Sequence, residues 1–325
     1  MQHRKIIAAG MSAMALSAVG AAALSATSAG ASGTNKSLAL IQGTKADDFY
    51  VTMGCGAKAE AKKLGYSINV QGPAMFSAPL QIPIVDSVAA SHPAAVLIAP
   101  TDVQALIAPM KAMKASGIHV VQVDTAVNGG TSIAVSSVTS NNTLGGQKAA
   151  DALAALIHDK GTVVVMNEQA GVSTTDARVA GFISEMKKYK NVKVLKTQYV
   201  GDSPTTAAST IDSLLVANPS LNGIFATNVL VAEGADTGIN NAGKKGKVKI
   251  VGYDADPQQI HDLKTNVVQA LIAQEPYLEG VDGVQQAVNS LTGKTVAKTI
   301  QTPLVEITQA NIAKESKYVY EGACA

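Results

Sequence analysis

Two carboxylates stand at the ends of short apolar runs, and their placement suggests the chemistry. Lys249-Ile250-Val251-Gly252-Tyr253 stops at Asp254, and Ile118-His119-Val120-Val121-Gln122-Val123 stops at Asp124. Such runs read as strands buried on both faces of a parallel sheet. In open α/β sheets, ligands sit outside the carboxyl ends of the strands. Phe49 and Tyr50 follow the first apolar run, Asn228 follows Phe225-Ala226-Thr227, Gln274 follows Val267 to Ala273, and Arg178 lies one turn into a helix. Each alone has a plain structural explanation: a ring in a core, an Asp that caps a helix or forms a turn, an Arg in a surface ion pair. Together they fall on one edge of two expected sheets. Carboxylates, amides and aromatic faces converging there would suit a small polyhydroxylated molecule.

Other chemistry lacks its residues. His92, His119, His158 and His261 share no short spacing with one another, with a Cys or with a carboxylate pair, so no metal site is expected. No nucleophile elbow or phosphate-binding loop of Walker type occurs, and no catalytic residue or cofactor is expected. Gly54-Cys55-Gly56-Ala57-Lys58-Ala59 loosely fits a dinucleotide fingerprint but falls inside an expected helix, where small residues packing against the sheet explain it better. A net charge of +2 spread along the chain leaves no footprint for nucleic acid.

The elements that must position these residues alternate. Strands over 37–42, 67–70, 94–99 and 119–123 are separated by helices over 47–64, 80–90 and 103–115. Residues 132–138 read as a first crossing into a second series. There, a helix capped by Asn141 or Asn142 runs to His158, and strands are expected over 162–166, 192–199, 223–226, 248–253 and 267–273. The helices between them span 174–187, 205–217, 231–242 and 257–263. Alternation of this kind implies right-handed βαβ units on parallel sheets. A second crossing falls at Gln274-Glu275-Pro276, a helix over 277–291 returns to the first series, and residues 300–307 cross a third time. The expected organisation is an N-terminal lobe of residues 36–138 plus 275–303, a C-terminal lobe of 139–274 plus 304–318, and a tail of 319–325.

The 325 residues are 47% hydrophobic and 15% charged with no Trp, in keeping with buried parallel sheets under Ala-rich helices. His3-Arg4-Lys5, an apolar stretch from Ile6 to about Leu24, and Ala29-Gly30-Ala31 read as a signal peptide over residues 1–31. A membrane anchor is the rival reading. Export to the periplasm, cell envelope or extracellular space is expected, with no Cys near the cleavage site to carry a lipid. Cys55 and Cys324, the only two cysteines, are expected to pair in an oxidising compartment and tie the tail to an early helix.

A resemblance to a known family covers nearly the whole chain beyond the leader. It rests on "ALIQGTKADDFYVTMGCGAKAEAKKLG" at Ala39 to Gly65, "PTD" at Pro100, "VDT" at Val123 and "LGG" at Leu144. Further on come "DARVAGF" at Asp176, "FATN" at Phe225, "VGYDADP" at Val251 and "ALIAQEP" at Ala270. In order and spacing these resemble the ribose-binding type of periplasmic substrate-binding protein, of the type I periplasmic binding protein family, which serves ABC sugar importers. The resemblance implies two Rossmann-like lobes joined by three hinge strands, a monomer that closes on a monosaccharide-sized ligand and presents it to an ABC permease. It implies that Phe49 and Tyr50 lie against apolar ligand faces, that Asp124 accepts from hydroxyls, and that Arg178, Asn228 and Asp254 act from the second lobe. Gln274 would reach in from the hinge, and Asp47 stands where the ribose binder has Asn.

Two departures shape the expected ligand. Thr125 replaces an Arg of the ribose binder, and Asp202 replaces an aromatic residue. With Asp47, Asp124, Asp202 and Asp254 offset only by Arg178, the cleft is acceptor-rich, and anionic ligands are disfavoured by uncompensated charge. A neutral pentose, related aldose or short sugar alcohol is expected, with the lost stacking face tilting the expectation towards sugar alcohols. Other readings are a binding protein that feeds a chemoreceptor or sensor kinase, a repressor's effector-binding core, which would need a DNA-binding segment in place of the leader, and a secreted carbohydrate-active enzyme.

Overall fold

The computed structural model describes residues 35–45 and 47–324. The expected leader over 1–31 lies outside the described residues. Short aliphatic runs form the strands, and Ala-rich segments bounded by Gly, Pro and polar caps form the helices. In chain order the elements are β1 (Ser37–Ile41), α1 (Asp48–Leu64), β2 (Ser67–Gln71), α2 (Ala78–Ala90), β3 (Ala95–Ile98), α3 (Ile107–Ala115), β4 (His119–Val123) and β5 (Ser136–Ser140). Then follow α4 (Asn142–Leu156), β6 (Lys160–Asn167), α5 (Ser173–Met186), β7 (Asn191–Val194), β8 (Gln198–Tyr199), α6 (Pro204–Ala217), β9 (Leu221–Ala226), α7 (Val229–Asn241), β10 (Lys249–Tyr253), α8 (Pro257–Lys264) and β11 (Ala270–Ala273). The chain finishes with α9 (Pro276–Leu291), β12 (Thr299–Thr302) and β13 (Val305–Ile307).

Two sheets result. The first runs β12-β5-β4-β3-β1-β2 and the second β13-β11-β10-β9-β6-β7, with β8 also paired to β6. All pairings are parallel except that of β13 with β11. Central strands β3 and β11 are buried at every position, as continuous apolar runs covered on both faces must be. Edge strand β2, Ser-Ile-Asn-Val-Gln, alternates instead and is partly exposed. The two sheets make two α/β lobes.

The chain passes between the sheets three times: after β5, between β11 and α9, and between β12 and β13. The first passage comes later than expected, because Ser136–Ser140 pairs with β4 and β12 inside the first sheet. It falls at Asn141, whose side chain accepts from the Leu144 N–H (3.1 Å) and starts α4. At the third, within the expected crossing over 300–307, Pro303 separates β12 from β13, since a residue without an N–H interrupts the ladder. Likewise the expected strand over 192–199 is divided into β7 and β8. The helix expected from Val103 begins only at Ile107: the Asp102 carboxylate accepts from the N–H groups of Gln104 and Ala105, both at 2.7 Å, and holds a turn there.

Helix α9 returns to the first lobe and lies across α1. A Cβ on Gly280 would come within 2.1 Å of the Met53 carbonyl oxygen, and one on Gly56 within 2.0 Å of that of Tyr277. The small residues of the loose dinucleotide motif thus let two helices touch, rather than packing on the sheet alone. Cys55 in α1 is disulfide-bonded to Cys324, with 5.3 Å between Cα atoms and 269 residues enclosed in sequence. On a chain-entropy view, closing so long a loop contributes up to about 5 kcal/mol.

Candidate functional site

The two carboxylates that terminate β4 and β10 occupy equivalent places in the two lobes. Asp124 and Asp254 both adopt left-handed backbone conformations, with φ of 57° and 80°. Aspartate visits this region more readily than most residues. In each case the N–H donates 2.8 Å to the neighbouring strand, Asp124 to Val138 and Asp254 to Ile272. The chain therefore turns sharply off each sheet edge, with a carboxylate at the turn.

From the first lobe, Asp47 caps α1, its Oδ1 accepting from the Phe49 N–H (2.8 Å). The first turn of α1 presents Phe49 and Tyr50, rings edge to face at 5.1 Å between centroids. The Tyr50 hydroxyl donates to Asp124 Oδ2 (2.6 Å), and its ring stacks against Phe76 at 6.4 Å. Gly43 makes that stack possible, since a Cβ there would fall 2.4 Å from both the Phe76 ring and the Tyr50 hydroxyl.

From the second lobe, Arg178 is buried and held on three sides. Its Nε donates to Asn142 Oδ1 and an Nη to the Thr227 carbonyl, each at 2.8 Å, and its guanidinium lies 3.8 Å from the centre of the Tyr253 ring. Asn228 caps α7 by accepting from Val231 N–H, while its amide donates to Glu168 Oε2 (2.9 Å) and Asp202 Oδ1 (3.4 Å). Gln274, at the second crossing, donates from Nε2 to Asp254 Oδ1 (2.7 Å).

These groups line one cavity between the lobes. Of the ten residues expected in the cleft, Asp47, Phe49, Tyr50, Asp124, Arg178, Asp202, Asn228, Asp254 and Gln274 border it. Thr125 does not. It is buried, and its hydroxyl has no partner among the described residues. Successive side chains diverge where a strand ends, so with Asp124 committed to the cavity its successor lies outside it. The cavity also takes in Thr44, Phe76, Glu168, Val172, Thr174 and Thr175, which sequence reasoning missed. Glu168 carried a usable signal: it follows the apolar run of β6 as Asp124 follows β4. Phe76 did not, standing in a loop with no periodicity. Phe76 also supplies a ring that the substitution at Asp202 had suggested was missing.

Five carboxyl groups therefore face one guanidinium. Burial is the main cause in each case, and it pushes Asp124 and Asp202 up to about 6. At Asp124 the Arg178 charge and the Tyr50 hydroxyl oppose the rise, as the Asn228 amide does at Asp202. Burial, with Asp202 alongside, holds Glu168 well above the usual carboxylate range. Burial and the Asp254 charge do the same to Asp47. Asp254 is raised by burial and pulled back by Arg178, Gln274 and Tyr320. Such a site repels further negative charge and favours hydroxyl donors.

The lobes also touch directly around the mouth. Val103 N–H donates to the Gly171 carbonyl (3.0 Å), Ala126 N–H to Ser173 Oγ (2.9 Å), and Phe76 N–H to the Asp202 carboxylate.

Residues 38–295 match the periplasmic binding protein domain family. The ribose import binding protein RbsB of Bacillus subtilis is 29% identical over 92% of this chain and 96% of its own length. An ABC transporter solute-binding protein from Agrobacterium vitis, solved with α-D-tagatopyranose, is 37% identical with a TM-score of 0.86, over 88% of this chain and 99% of its own. A carbohydrate transporter solute-binding protein from Agrobacterium radiobacter, solved with D-arabinose, is 29% identical with a TM-score of 0.84, covering 88% and 98%. With the match extending through both lobes and the hinge, the chain belongs to the periplasmic binding protein domain family.

Proposed function

We propose that this protein is the extracytoplasmic solute-binding component of an ABC importer. It holds a neutral monosaccharide, a pentose or related aldose, or a short sugar alcohol, in the interlobe cleft and delivers it to a membrane permease by lobe closure. The observation that carries this reading is the convergence, from both lobes, of five carboxyl groups and a single Arg on a cavity walled by Phe49, Tyr50 and Phe76. Carboxylates accept hydrogen bonds from hydroxyls, and rings cover the apolar C–H faces of a sugar. The solved relatives with bound D-arabinose and α-D-tagatopyranose support a neutral ligand of this size. Phe76 restores a stacking face and favours a cyclic sugar over an open-chain sugar alcohol.

Closure follows from differential affinity. A ligand that hydrogen-bonds Asp124 from one lobe and Asp254 from the other binds the shut form far better than the open one, and only such a difference shifts the population. The contacts of Val103 with Gly171 and of Ala126 with Ser173 add to the shut form. Calorimetry with D-ribose, D-arabinose, D-tagatose, xylitol, ribose 5-phosphate and gluconate tests the reading. Binding of at least one neutral compound and of neither anion is expected. Binding of an anion alone overturns it.

A further inference from the structure

The polypeptide does not end with the third passage between lobes. After β13 it runs back over the hinge, and its last described residues touch both lobes within five positions. Tyr320 N–H donates to the Ala255 carbonyl of the second lobe (3.0 Å). Glu321 is joined to α1 of the first lobe by two hydrogen bonds with Thr52, its N–H donating to Oγ1 (2.7 Å) and its carbonyl accepting from the same hydroxyl (3.2 Å). Cys324 is then bonded to Cys55, one turn further along α1. This strap is a fourth connection between the lobes, closed by a bond between side chains.

Tyr320 is the one residue of the strap driven into the interior, at 3% exposure. Its hydroxyl donates to Asp254 Oδ1 (2.8 Å) and accepts from the backbone N–H of Gln274 (3.2 Å). Its ring meets Phe49 edge-on at 5.8 Å. Three cleft residues from three separate elements, β10, the hinge and α1, are thus braced by a side chain that does not itself border the cavity. Oδ1 of Asp254 is committed to Tyr320 and Gln274 Nε2, and the Val229 backbone N–H also donates to the carboxylate, which fixes its rotation.

We infer that Tyr320 is a positioning residue for ligand binding, aligning Asp254 and Gln274 with the cleft, and that the Cys55–Cys324 bridge holds it there, so that affinity depends on the bridge being closed. The inference rests on the cleft being the ligand site. A bridge with only a mechanical role would act on stability and leave the cleft's acid–base behaviour alone. A bridge acting through Tyr320 changes the hydrogen-bonding of a specific carboxylate. Asp254 is faced by Arg178 on α5, Tyr253 on its own strand, Asp124 from β4, Asp47 at the start of α1 and Asp256 beyond the turn. Only the contribution of Tyr320 is removed by deleting its hydroxyl.

The test combines Tyr320→Phe with opening of the bridge, either by Cys55→Ser with Cys324→Ser or by mild reduction of the wild-type protein. Carboxyl-carbon NMR on the ligand-free protein reads the Asp254 titration directly. Calorimetry uses whichever of D-ribose, D-arabinose, D-tagatose or xylitol binds the wild type most tightly. Tyr320→Phe is expected to move the Asp254 midpoint upward by at least half a pH unit and to weaken binding at least fivefold. Bridge opening is expected to weaken binding in the wild-type background and to add nothing in Tyr320→Phe. An unmoved Asp254 midpoint, or an equal loss on bridge opening in both backgrounds, overturns the inference. If none of the four compounds binds the wild type, the proposed ligand class fails, while the NMR titration still decides the role of Tyr320.

Discussion

Replacing Asp124 by Asn removes one negative charge from the cleft while keeping the side chain's shape and its ability to accept from the Tyr50 hydroxyl. The carboxylate has one oxygen engaged by Tyr50 and the other open to ligand hydroxyls. Hydrogen bonds to charged groups are worth about 1.5 to 3 kcal/mol and neutral ones about 0.5 to 1.5 kcal/mol. The substitution should therefore cost about 1 to 2 kcal/mol, or about fivefold to thirtyfold in Kd. The pH profile sharpens the test. Burial raises Asp124 to about 6, so below that pH the carboxyl takes up a proton and stops accepting from a ligand hydroxyl at that oxygen. Wild-type affinity should fall on acidification, with Asp124 alone accounting for about a threefold to sevenfold loss at pH 5 relative to neutral pH. In Asp124→Asn the slope of log Kd against pH between 5 and 6 should be smaller by about 0.3 to 0.6. Calorimetry at half-unit steps of pH reads both quantities. A change in Kd below twofold at neutral pH, together with an unaltered slope, would refute the assignment of Asp124 as a ligand acceptor.

Burial, with Asp202 alongside, favours the neutral form of Glu168, so Glu168→Gln should lose less affinity by calorimetry at pH 7 than Asp124→Asn does. A greater loss would mean that the ionised form acts. Phe76→Ala removes a ring contact of about 0.5 to 1.5 kcal/mol, and Kd for a cyclic sugar should rise about threefold to tenfold, with less effect for an open-chain sugar alcohol. Without ligand, thermal stability should increase from pH 7.5 to pH 5.5. Asp124 and Asp202 titrate at about 6 when folded, above their unfolded values, so the folded state holds more protons and loses stability as pH rises through that window. Differential scanning fluorimetry showing a lower Tm at pH 5.5 would contradict this sign.

The fold was legible because its strands are buried on both faces. Ala95–Ile98, Lys249–Tyr253 and Ala270–Ala273 stand out as apolar runs, and Gly65 and Gly117 mark joins where the backbone turns left-handed. Strand limits near the hinge were less visible, since Ser136–Ser140 is polar and is held in the sheet by its neighbours on both sides rather than by its own hydrophobicity. Cleft residues at strand ends were accessible to the same rule, and Glu168 would have been found by applying it evenly. Residues supplied by loops or by tertiary return were not. Phe76 reaches the cavity only through the path of its loop, and Tyr320 reaches Asp254 across 66 positions of sequence. Glu279, fully buried at the start of α9 and accepting from Ser140 and Thr302, joins the first and third passages in a way no local pattern announces.

The return of α9 and β12 to the first sheet makes the order of synthesis matter. A nascent polypeptide that has emerged only as far as Ser140 lacks the helix whose Gly283 sits against Leu97 and Val123, and lacks the edge strand that pairs with β5. Its first half must wait, with an apolar groove uncovered, until residue 302 has been made. The segment from Asn142 to Ala273 is nearly self-sufficient by comparison and needs only the short β13 to finish its sheet. Fragments cut at the apparent midpoint will therefore be unequal: the front piece prone to clump, the rear piece able to stand.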